Sequence, residues 1–324
     1  MKAAAAAVMR AALGVAALCA AALGCTRAEA AEAFITDQSG DEVSVLDLTS
    51  QSIVARIPVS GKPAGIAMAP DGKTAYVTST EGQYVSVIDT ASRKVISKIA
   101  MPDTPLGIAA DPAGRFIYVA GFYKPLLYKI DVSTRAIVAA VEVGASPSGV
   151  AVALDGAMIV SADRDDNQIS IIDAKTFTRK STVKAGTHPF GVTIDAQGAR
   201  AYTANVESND VSVIDLKSAQ LFATVPTGKR PYAVALAKGK GFVTDQYGGT
   251  VSVFDLETLK PLKRISVGEY PEGIETSADG KSVYVVNWFS NEVWAINADT
   301  LAVTAKMPAG DGPRAFGTFL RESL

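Results

Sequence analysis

The chain has 324 residues, of which 48% are hydrophobic, and its 31 basic and 33 acidic residues give a net charge of −2. This near balance of charge argues against a globally basic nucleic-acid-binding protein. The length permits either two domains or one large repetitive domain, and the internal repeats favour a single domain.

Residues 1–30 have the features of a cleaved secretory signal peptide. Lys2 and Arg10 provide a positively charged start, and residues 11–25 form an apolar run rich in Ala and Leu. This run is too short to cross a membrane, so we expect no transmembrane segment. An Ala-Glu-Ala cleavage sequence ends at Ala30. We therefore expect a periplasmic or secreted protein.

Cleavage after Ala30 would leave residues 31–324 as one mature domain. A lipid anchor at Cys25 is the alternative, because the residues that end there resemble a lipobox, although Ala22 occupies the usual Leu position. Cys19 and Cys25 are both in the leader, so the mature chain has no thiol or disulfide. Removing the leader takes away three basic residues and one acidic residue, which leaves 28 against 32 and a net charge of −4.

A string close to Val-Ser-Val-Ile-Asp recurs along the mature chain, and its last residue marks seven copies of one repeat. The marker residues are Asp47, Asp89, Asp131, Asp173, Asp215, Asp255 and Asn297. Their successive spacings are 42, 42, 42, 42, 40 and 42 residues. A marker proline follows each of them by sixteen residues, at Pro63, Pro105, Pro147, Pro189, Pro231, Pro271 and Pro313. This period predicts a repeat architecture.

Each repeat contains four short apolar runs separated by turn residues. In the second copy the runs are 65–68, 75–78, 85–89 and 95–99. Their enrichment in Val, Ile, Tyr and Thr predicts β-strands, and the Pro-Asp-Gly-Lys sequence after the first run predicts a hairpin turn. The two-residue deletion in the sixth copy is assigned to the turn 238–240, because loops absorb deletions more readily than strands.

Four antiparallel strands in each of seven repeats predict an all-β fold, a seven-bladed β-propeller. The repeats begin on a second-strand sequence, Phe34–Thr36, and end on a surplus run, Arg314–Phe319. We therefore expect the C-terminal strand to join the N-terminal blade and to close the ring without a long exposed sheet edge. The recurrent Asp should cap the turn after the third strand.

The repeat resembles the YVTN-repeat propellers, which are WD40-like repeat proteins. The resemblance rests on Tyr76-Val77-Thr78, Tyr284–Asn287, the recurrent Asp-ending string and the Pro-Asp-Gly-Lys turn, and it covers residues 33–320. With its leader and size the chain is most similar to the YncE-like periplasmic branch. This resemblance implies a binding or interaction protein, with single-stranded DNA binding suggested for some members, and it does not identify the ligand.

Two groups of loops should meet on one face of such a ring, around the mouth of the central channel. They are the loops that enter the innermost strands and the loops between second and third strands. The residues that flank the marker prolines are small or bland in the first three repeats, and the last four repeats carry nearly all the aromatic and ionisable ones. The loops between second and third strands carry further aromatics, among them Tyr247, Trp288 and Phe289. The candidate ligand-binding or partner-binding residues are His188, Phe190, Arg230, Tyr232, Tyr270, Glu272, Trp288, Arg314 and, in a loop of an earlier repeat, Tyr123. Exposed aromatic side chains are candidate contact anchors. The alternative is that Phe190, Tyr232 or Trp288 plugs the channel or covers a loop.

These observations favour a non-catalytic, monomeric binding scaffold for an unidentified protein or small-molecule ligand. No catalytic residue is assigned, and no cofactor or metal is expected. His188 is the only histidine, the mature chain has no cysteine, and no haem-attachment sequence is present. Asp163–Asn167 departs from a calcium loop, because Gln168 stands where the turn glycine belongs.

Three alternatives remain open. One is a lactonase-like hydrolase that acts on a small acidic substrate, with His188 or Glu272 as the base and Arg230 and Arg314 as clamps. Another is single-stranded DNA binding through basic residues interleaved with aromatics, which the net negative charge opposes. The third, implied by the resemblance, is an accessory protein of a periplasmic redox system, either amine-oxidising or denitrifying.

Overall fold

A computed structural model describes residues 31–322 and arranges them as seven four-stranded antiparallel blades in a ring. No helix occurs in this part of the chain. The predicted seven-bladed propeller is therefore confirmed. The leader, its cleavage at Ala30 and the anchor at Cys25 lie outside the described residues.

The strands follow the repeats in chain order. Blade 1 contains β1 (Glu32–Asp37), β2 (Glu42–Asp47) and β3 (Ser52–Pro58), and blade 2 contains β4 (Pro63–Met68), β5 (Thr74–Ser79), β6 (Tyr84–Asp89) and β7 (Lys94–Ala100). Blade 3 contains β8 (Pro105–Ala110), β9 (Phe116–Gly121), β10 (Leu126–Asp131) and β11 (Ala136–Glu142). Blade 4 contains β12 (Pro147–Val152), β13 (Met158–Asp163), β14 (Gln168–Asp173) and β15 (Thr178–Lys184).

The remaining blades have the same order. Blade 5 contains β16 (Pro189–Ile194), β17 (Arg200–Asn205), β18 (Asp210–Asp215) and β19 (Gln220–Pro226). Blade 6 contains β20 (Pro231–Ala237), β21 (Lys240–Asp245), β22 (Thr250–Asp255) and β23 (Pro261–Ser266). Blade 7 contains β24 (Pro271–Thr276), β25 (Ser282–Asn287), β26 (Glu292–Asn297) and β27 (Val303–Pro308), and the C-terminal segment adds β28 (Phe316–Thr318) and β29 (Leu320–Arg321).

The C-terminal segment closes the ring, as predicted, but it does so in two pieces. Pro313 forms an isolated bridge with Asp37, and β29 pairs antiparallel with β1. Between these contacts β28 leaves blade 1 and pairs in parallel with β4 of blade 2. The expectation of one strand over Arg314–Phe319 that joins the N-terminal blade was therefore wrong in detail. Gly317 has a φ of 132°, a conformation that glycine adopts without strain, and it lies within this detour.

A register difference accounts for the detour. In blade 4, Val152 lies five residues after the marker proline Pro147. It pairs with Ile159, which lies four residues before the end of strand β13. In blade 1 the position equivalent to Ile159 is Ala33, four residues before the end of β1. Ala33 pairs with Leu320, which lies seven residues after Pro313 rather than five. The closing segment thus carries two extra residues, and β28 accommodates them inside the channel.

The hydrophobic core lies between neighbouring blades. Second-strand and third-strand side chains such as Phe34, Val77 and Ile88 are fully buried there. The innermost strands approach so closely that a Cβ added at Gly107 would lie 1.8 Å from the carbonyl oxygen of Ser148 in the next blade. Gly107 is therefore required by the close packing of backbones between these two blades.

The turn chemistry predicted from the repeats is confirmed at both ends of a blade. Asp47 accepts hydrogen bonds from the backbone N–H groups of Thr49 and Ser50, each at 2.8 Å. In blade 6 the hairpin pairs Ala237 directly with Lys240, so two residues connect the strands at the site assigned to the deletion.

Candidate functional site

The two predicted groups of loops meet on one face of the ring, which we call the rim. The backbone N–H of Trp288, after a second strand, donates to the carbonyl of Tyr270, before a marker proline, at 2.9 Å. The same bond joins Val206 to His188 in blade 5. Each blade therefore holds its two rim loops against each other by backbone hydrogen bonds.

Side chains before and after a marker proline point in different directions. Arg230 and Tyr270, which precede the proline, have positive φ and partly exposed side chains. Tyr232 and Glu272, which follow it, are 5% and 0% exposed and point towards the channel. The rim thus divides into an outer group of partly exposed residues and an inner group that lies in the channel.

The inner group closes the channel, and we call it the channel plug. Its members are Phe190, Tyr232, Glu272, Arg314 and Phe316. The rings of Phe190 and Tyr232 lie 4.4 Å apart, and Phe316 packs 5.1 Å from Phe190 and 5.6 Å from Tyr232, all measured between centroids. Aromatic contacts of this kind stabilise a buried layer beyond the burial of apolar area.

Polar bonds complete the channel plug. Arg314 Nε donates to Glu272 Oε2 at 2.7 Å, and a second guanidinium nitrogen donates to the Tyr232 hydroxyl. The other Glu272 oxygen accepts a bond from Gln246 Nε2 at 2.6 Å, and Arg314 also reaches Gln38 at 3.2 Å. Both carboxylate oxygens are therefore occupied, and the charges of Glu272 and Arg314 are paired.

The titration of these groups follows from their burial. Burial raises the pKa of Tyr232 and of Glu272, and the neighbouring Arg314 opposes both shifts. Burial disfavours the charged form of Arg314, but Glu272 and Tyr232 outweigh that effect and raise the pKa of the guanidinium. Arg314 is therefore a fixed cation inside the channel plug. Glu272, with no exposed surface, is not placed to act on a substrate.

The outer group forms a continuous aromatic patch, which we call the rim aromatic surface. Its members are Tyr247 of blade 6 and Tyr270, Trp288 and Phe289 of blade 7. Ring centroids are separated by 5.2 Å from Tyr247 to Tyr270, 4.3 Å from Tyr270 to Phe289 and 5.9 Å from Phe289 to Trp288. Tyr247 and Phe289 remain 55% and 58% exposed. Aromatic area is therefore presented to solvent over two adjacent blades.

Cations border the rim aromatic surface on both sides. The Arg230 guanidinium lies 4.8 Å from the centroid of Tyr247, and the Arg314 guanidinium lies 4.7 Å from that of Trp288. Trp288 has room to lie over the channel plug because its neighbour in the next rim loop is Gly312. A Cβ at Gly312 would lie 2.9 Å from Trp288 Nε1, so a larger residue would displace the indole.

The remaining two candidate residues lie elsewhere on the rim. His188 lies between two acids of neighbouring loops, with Nδ1 3.2 Å from Glu207 Oε1 and Nε2 4.0 Å from Asp165 Oδ1. Tyr123 in blade 3 is 76% exposed, and its ring centroid lies 5.2 Å from that of Phe122. Neither residue makes a ring contact with the rim aromatic surface.

The structure adds residues that the repeat comparison did not select. Phe316 was read as part of a pairing strand, and its role in the channel plug depends on the detour of β28. Tyr247 and Phe289 belong to loops noted for aromatic content, and the 42-residue register could have aligned them on adjacent blades. Among residues 31–322 no group of three His, Cys, Asp or Glu side chains is positioned to hold a metal ion.

A family model described as a YNCE-like beta-propeller matches residues 4–115, about a third of the chain. The seven-bladed architecture agrees with this match. The match and the seven blades together support a YncE-like propeller family. No curated protein matches the chain. Within the described part of the chain, no helix is long and apolar enough to span a membrane.

Two solved structures resemble this propeller in fold. Kuenenia stuttgartiensis hydrazine synthase superposes with a TM-score of 0.75 at 22% identity, over 81% of this chain and 91% of that chain. A functionally unknown protein from Desulfotomaculum acetoxidans DSM 771 also gives a TM-score of 0.75, at 14% identity, over 88% of this chain and 99% of that chain. At these identities the similarity concerns the fold alone.

Proposed function

We propose that the protein is a secreted, non-catalytic binding protein that holds a partner protein against the rim aromatic surface. The observation that carries this proposal is the contact chain from Tyr247 through Tyr270 and Phe289 to Trp288. An exposed cluster of this kind is unusual on a soluble monomer and typical of interaction sites. Aromatic and arginine side chains are also the residues most enriched in interface hot spots.

The scaffold supports this function because the surface is already organised before a partner arrives. The backbone bond from Trp288 N to Tyr270 O joins the two blade 7 loops, and Gln246 N donates to Arg230 O at 2.9 Å in blade 6. A preorganised surface loses little conformational freedom on association, so more of the contact energy appears as affinity.

Site-specific photocrosslinking in cells of the native host tests the proposal. A benzoylphenylalanine at position 289 should give a discrete adduct with one partner protein, and the adduct should disappear when Tyr247→Ser and Tyr270→Ser are added. Phe222 provides a matched control position, because it is 55% exposed on the outer strand β19. An equal adduct from position 222, or none from position 289, would refute the proposal.

We also propose that residues 1–30 direct export, on the strength of the charged start, apolar run and cleavage sequence in the leader. Mass spectrometry of the protein recovered from the periplasm should give a mature chain that begins at Ala31. An acylated N-terminus at Cys25 would replace cleavage by lipid anchoring, and an unprocessed chain would exclude export by this route.

A further inference from the structure

The central channel contains a second candidate site, at the end opposite the rim. A cavity of about 930 Å³ is lined by the innermost strands and by the turns that follow them, including Pro70, Leu154 and Ala278. Leu154 is 67% exposed, so the cavity opens on that face. Phe316 of the channel plug lines the inner end, whereas Tyr232 and Glu272 do not reach it.

The dimensions of the cavity match one extended polypeptide segment. Its wall in blade 4 extends from Gly149 to Leu154, six residues that span about 20 Å as a strand. A volume of 930 Å³ over that length gives a cross-section of about 47 Å². One strand in a packed sheet occupies about 48 Å², from a spacing of about 4.8 Å between strands and about 10 Å between sheets.

The wall offers unpaired backbone edges. Five innermost strands, β8, β12, β16, β20 and β24, each pair on one side only, with the second strand of the same blade. Their other edge borders the channel. The side chains four residues after the marker prolines of blades 4 to 6 are small, Ala151, Thr193 and Ala235, and all three line the cavity. A free edge with small side chains accepts an added strand through main-chain hydrogen bonds.

The chain itself shows this use of an innermost edge. β28 lies in the channel and pairs in parallel with β4, with Phe316 opposite Gly65 and Thr318 opposite Ala67. The Thr318 hydroxyl accepts a bond from Met68 N at 3.2 Å. The ring therefore admits an extended segment that runs in the same direction as the innermost strands, from the rim towards the open mouth.

Lys238 is a cation at the open mouth of the cavity. Lys238 belongs to the shortened turn of blade 6, lines the cavity, is exposed, and makes no ion pair with any residue in 31–322. The nearby acids are occupied, because Asp279 pairs with Lys281 at 2.8 Å and Glu322 accepts a bond from Ala278 N at 2.8 Å. A segment parallel to the innermost strands would end at this mouth with its C-terminal carboxylate.

We propose that the cavity binds a short extended peptide of small apolar residues, which adds in parallel to the channel edge of β16 and places its free carboxylate at Lys238. β16 is the favoured edge because β28 already lies against β4, β8 and β24, and because blade 6, which carries Lys238, is the neighbour of β16. This site is separate from the rim aromatic surface, and each can fail without the other.

Calorimetry with acetyl-Ala-Val-Ala-Val tests the site. The free acid should bind with one-to-one stoichiometry, and the C-terminal amide should bind roughly fivefold more weakly, as expected for an exposed ion pair. Lys238→Ala should remove this difference between acid and amide. Because N–H groups alternate in direction along a strand, methylation of one alternating pair of peptide nitrogens should weaken binding roughly tenfold, and methylation of the other pair should not.

Variants distinguish the channel from other surfaces. Ala151→Phe should abolish binding by filling the cavity, and its thermal unfolding reports whether the ring is intact. Lys238→Glu alters only an exposed turn and should weaken binding of the free acid more than Lys238→Ala does. Phe289→Ser on the rim should leave the affinity unchanged. No one-to-one binding, equal effects of the two methylation patterns, or full affinity in a folded Ala151→Phe variant would each overturn the proposal.

Discussion

The two ends of the central channel are built from the same repeat and differ in what the repeat places there. At the rim end, an aromatic layer and the Glu272–Arg314 pair close the channel. At the opposite end, small side chains such as Ala151 leave it open. Closure therefore depends mainly on one repeat position, the residue directly after the marker proline, to which the detour of β28 adds Phe316.

The positions can be compared around the ring. The residues directly after the marker prolines are Ala64, Leu106, Ser148, Phe190, Tyr232, Glu272 and Arg314. The residues four after the first six prolines are Ala67, Ala109, Ala151, Thr193, Ala235 and Glu275. The first set becomes large or charged in the last four repeats, whereas the second stays small except at Glu275. That exception serves ring closure, because Glu275 accepts bonds from the backbone N–H groups of Phe319 and Leu320.

The largest effect is expected when the Glu272–Arg314 pair at the closed end of the channel is broken. Arg314→Met would leave the Glu272 carboxylate buried without its counter-ion, which typically costs about 3–5 kcal/mol of unfolding free energy. Urea unfolding of the wild type and the variant measures this loss. Adding Glu272→Gln should recover most of it, because the neutral amide needs no cation. A loss below about 1 kcal/mol would mean that the pair does not hold the plug.

The next effect concerns the pH dependence of ring closure. Burial raises the pKa of Glu275 to about 8 and that of Asp37 to about 7. In the unfolded chain these groups lose their protons near their ordinary values of 4.5 and 3.8. The unfolded state therefore binds fewer protons as the pH rises above these ordinary values, and stability falls until the folded pKa values are passed.

Glu275→Gln isolates the contribution of the open end. Between pH 5 and pH 8 the unfolding free energy of the wild type should fall by about 2 kcal/mol or more beyond the fall in the variant. The decline caused by Asp37 should remain in both proteins. Denaturant midpoints across this pH range provide the measurement. Parallel pH profiles for the wild type and the variant would show that Glu275 does not keep its proton in the folded ring.

The smallest expected effect is on stability at the rim aromatic surface. Phe289→Ser and Tyr247→Ser remove exposed rings, so each should change the unfolding free energy by less than about 0.5 kcal/mol. Tyr247→Ser, combined with Tyr270→Ser, should nevertheless abolish the adduct that is crosslinked from position 289. A loss above 2 kcal/mol would assign these rings to the packing of blades 6 and 7 rather than to a partner.

The repeat register predicted most of the fold. Six marker prolines in constant phase located the innermost strands of blades 2 to 7. The deletion placed the short turn at Lys238, because strands tolerate neither insertions nor shifts in register. The path of β28 could not be predicted in this way. It depends on two residues that have no counterpart in the other copies, and nothing internal to the chain shows where an unmatched insertion goes.

The site was predicted less completely than the fold. Residues before and after a marker proline were assigned together to one exposed face, and Glu272 and Arg314 were included in it. Residues two apart on an extended chain share one side, which favoured grouping Tyr270 with Glu272. Tyr270 is not extended, because its φ is 53°, and its side chain therefore leaves the side on which Glu272 lies. The rim aromatic surface joins residues from two blades, so its continuity depends on blade-to-blade spacing that a single repeat does not contain.

Ring closure also has a consequence for how the chain folds. Glu32 and Arg321 form an ion pair across 289 positions of sequence, whereas blades 2 to 7 each form from consecutive residues. Blade 1 must therefore be the last to be completed, and contacts of such sequence separation slow folding. Until the C-terminal segment arrives, the open edge of β1 can accept a strand from another molecule. Chains shortened before Pro313 should therefore keep this edge exposed and associate with one another through it.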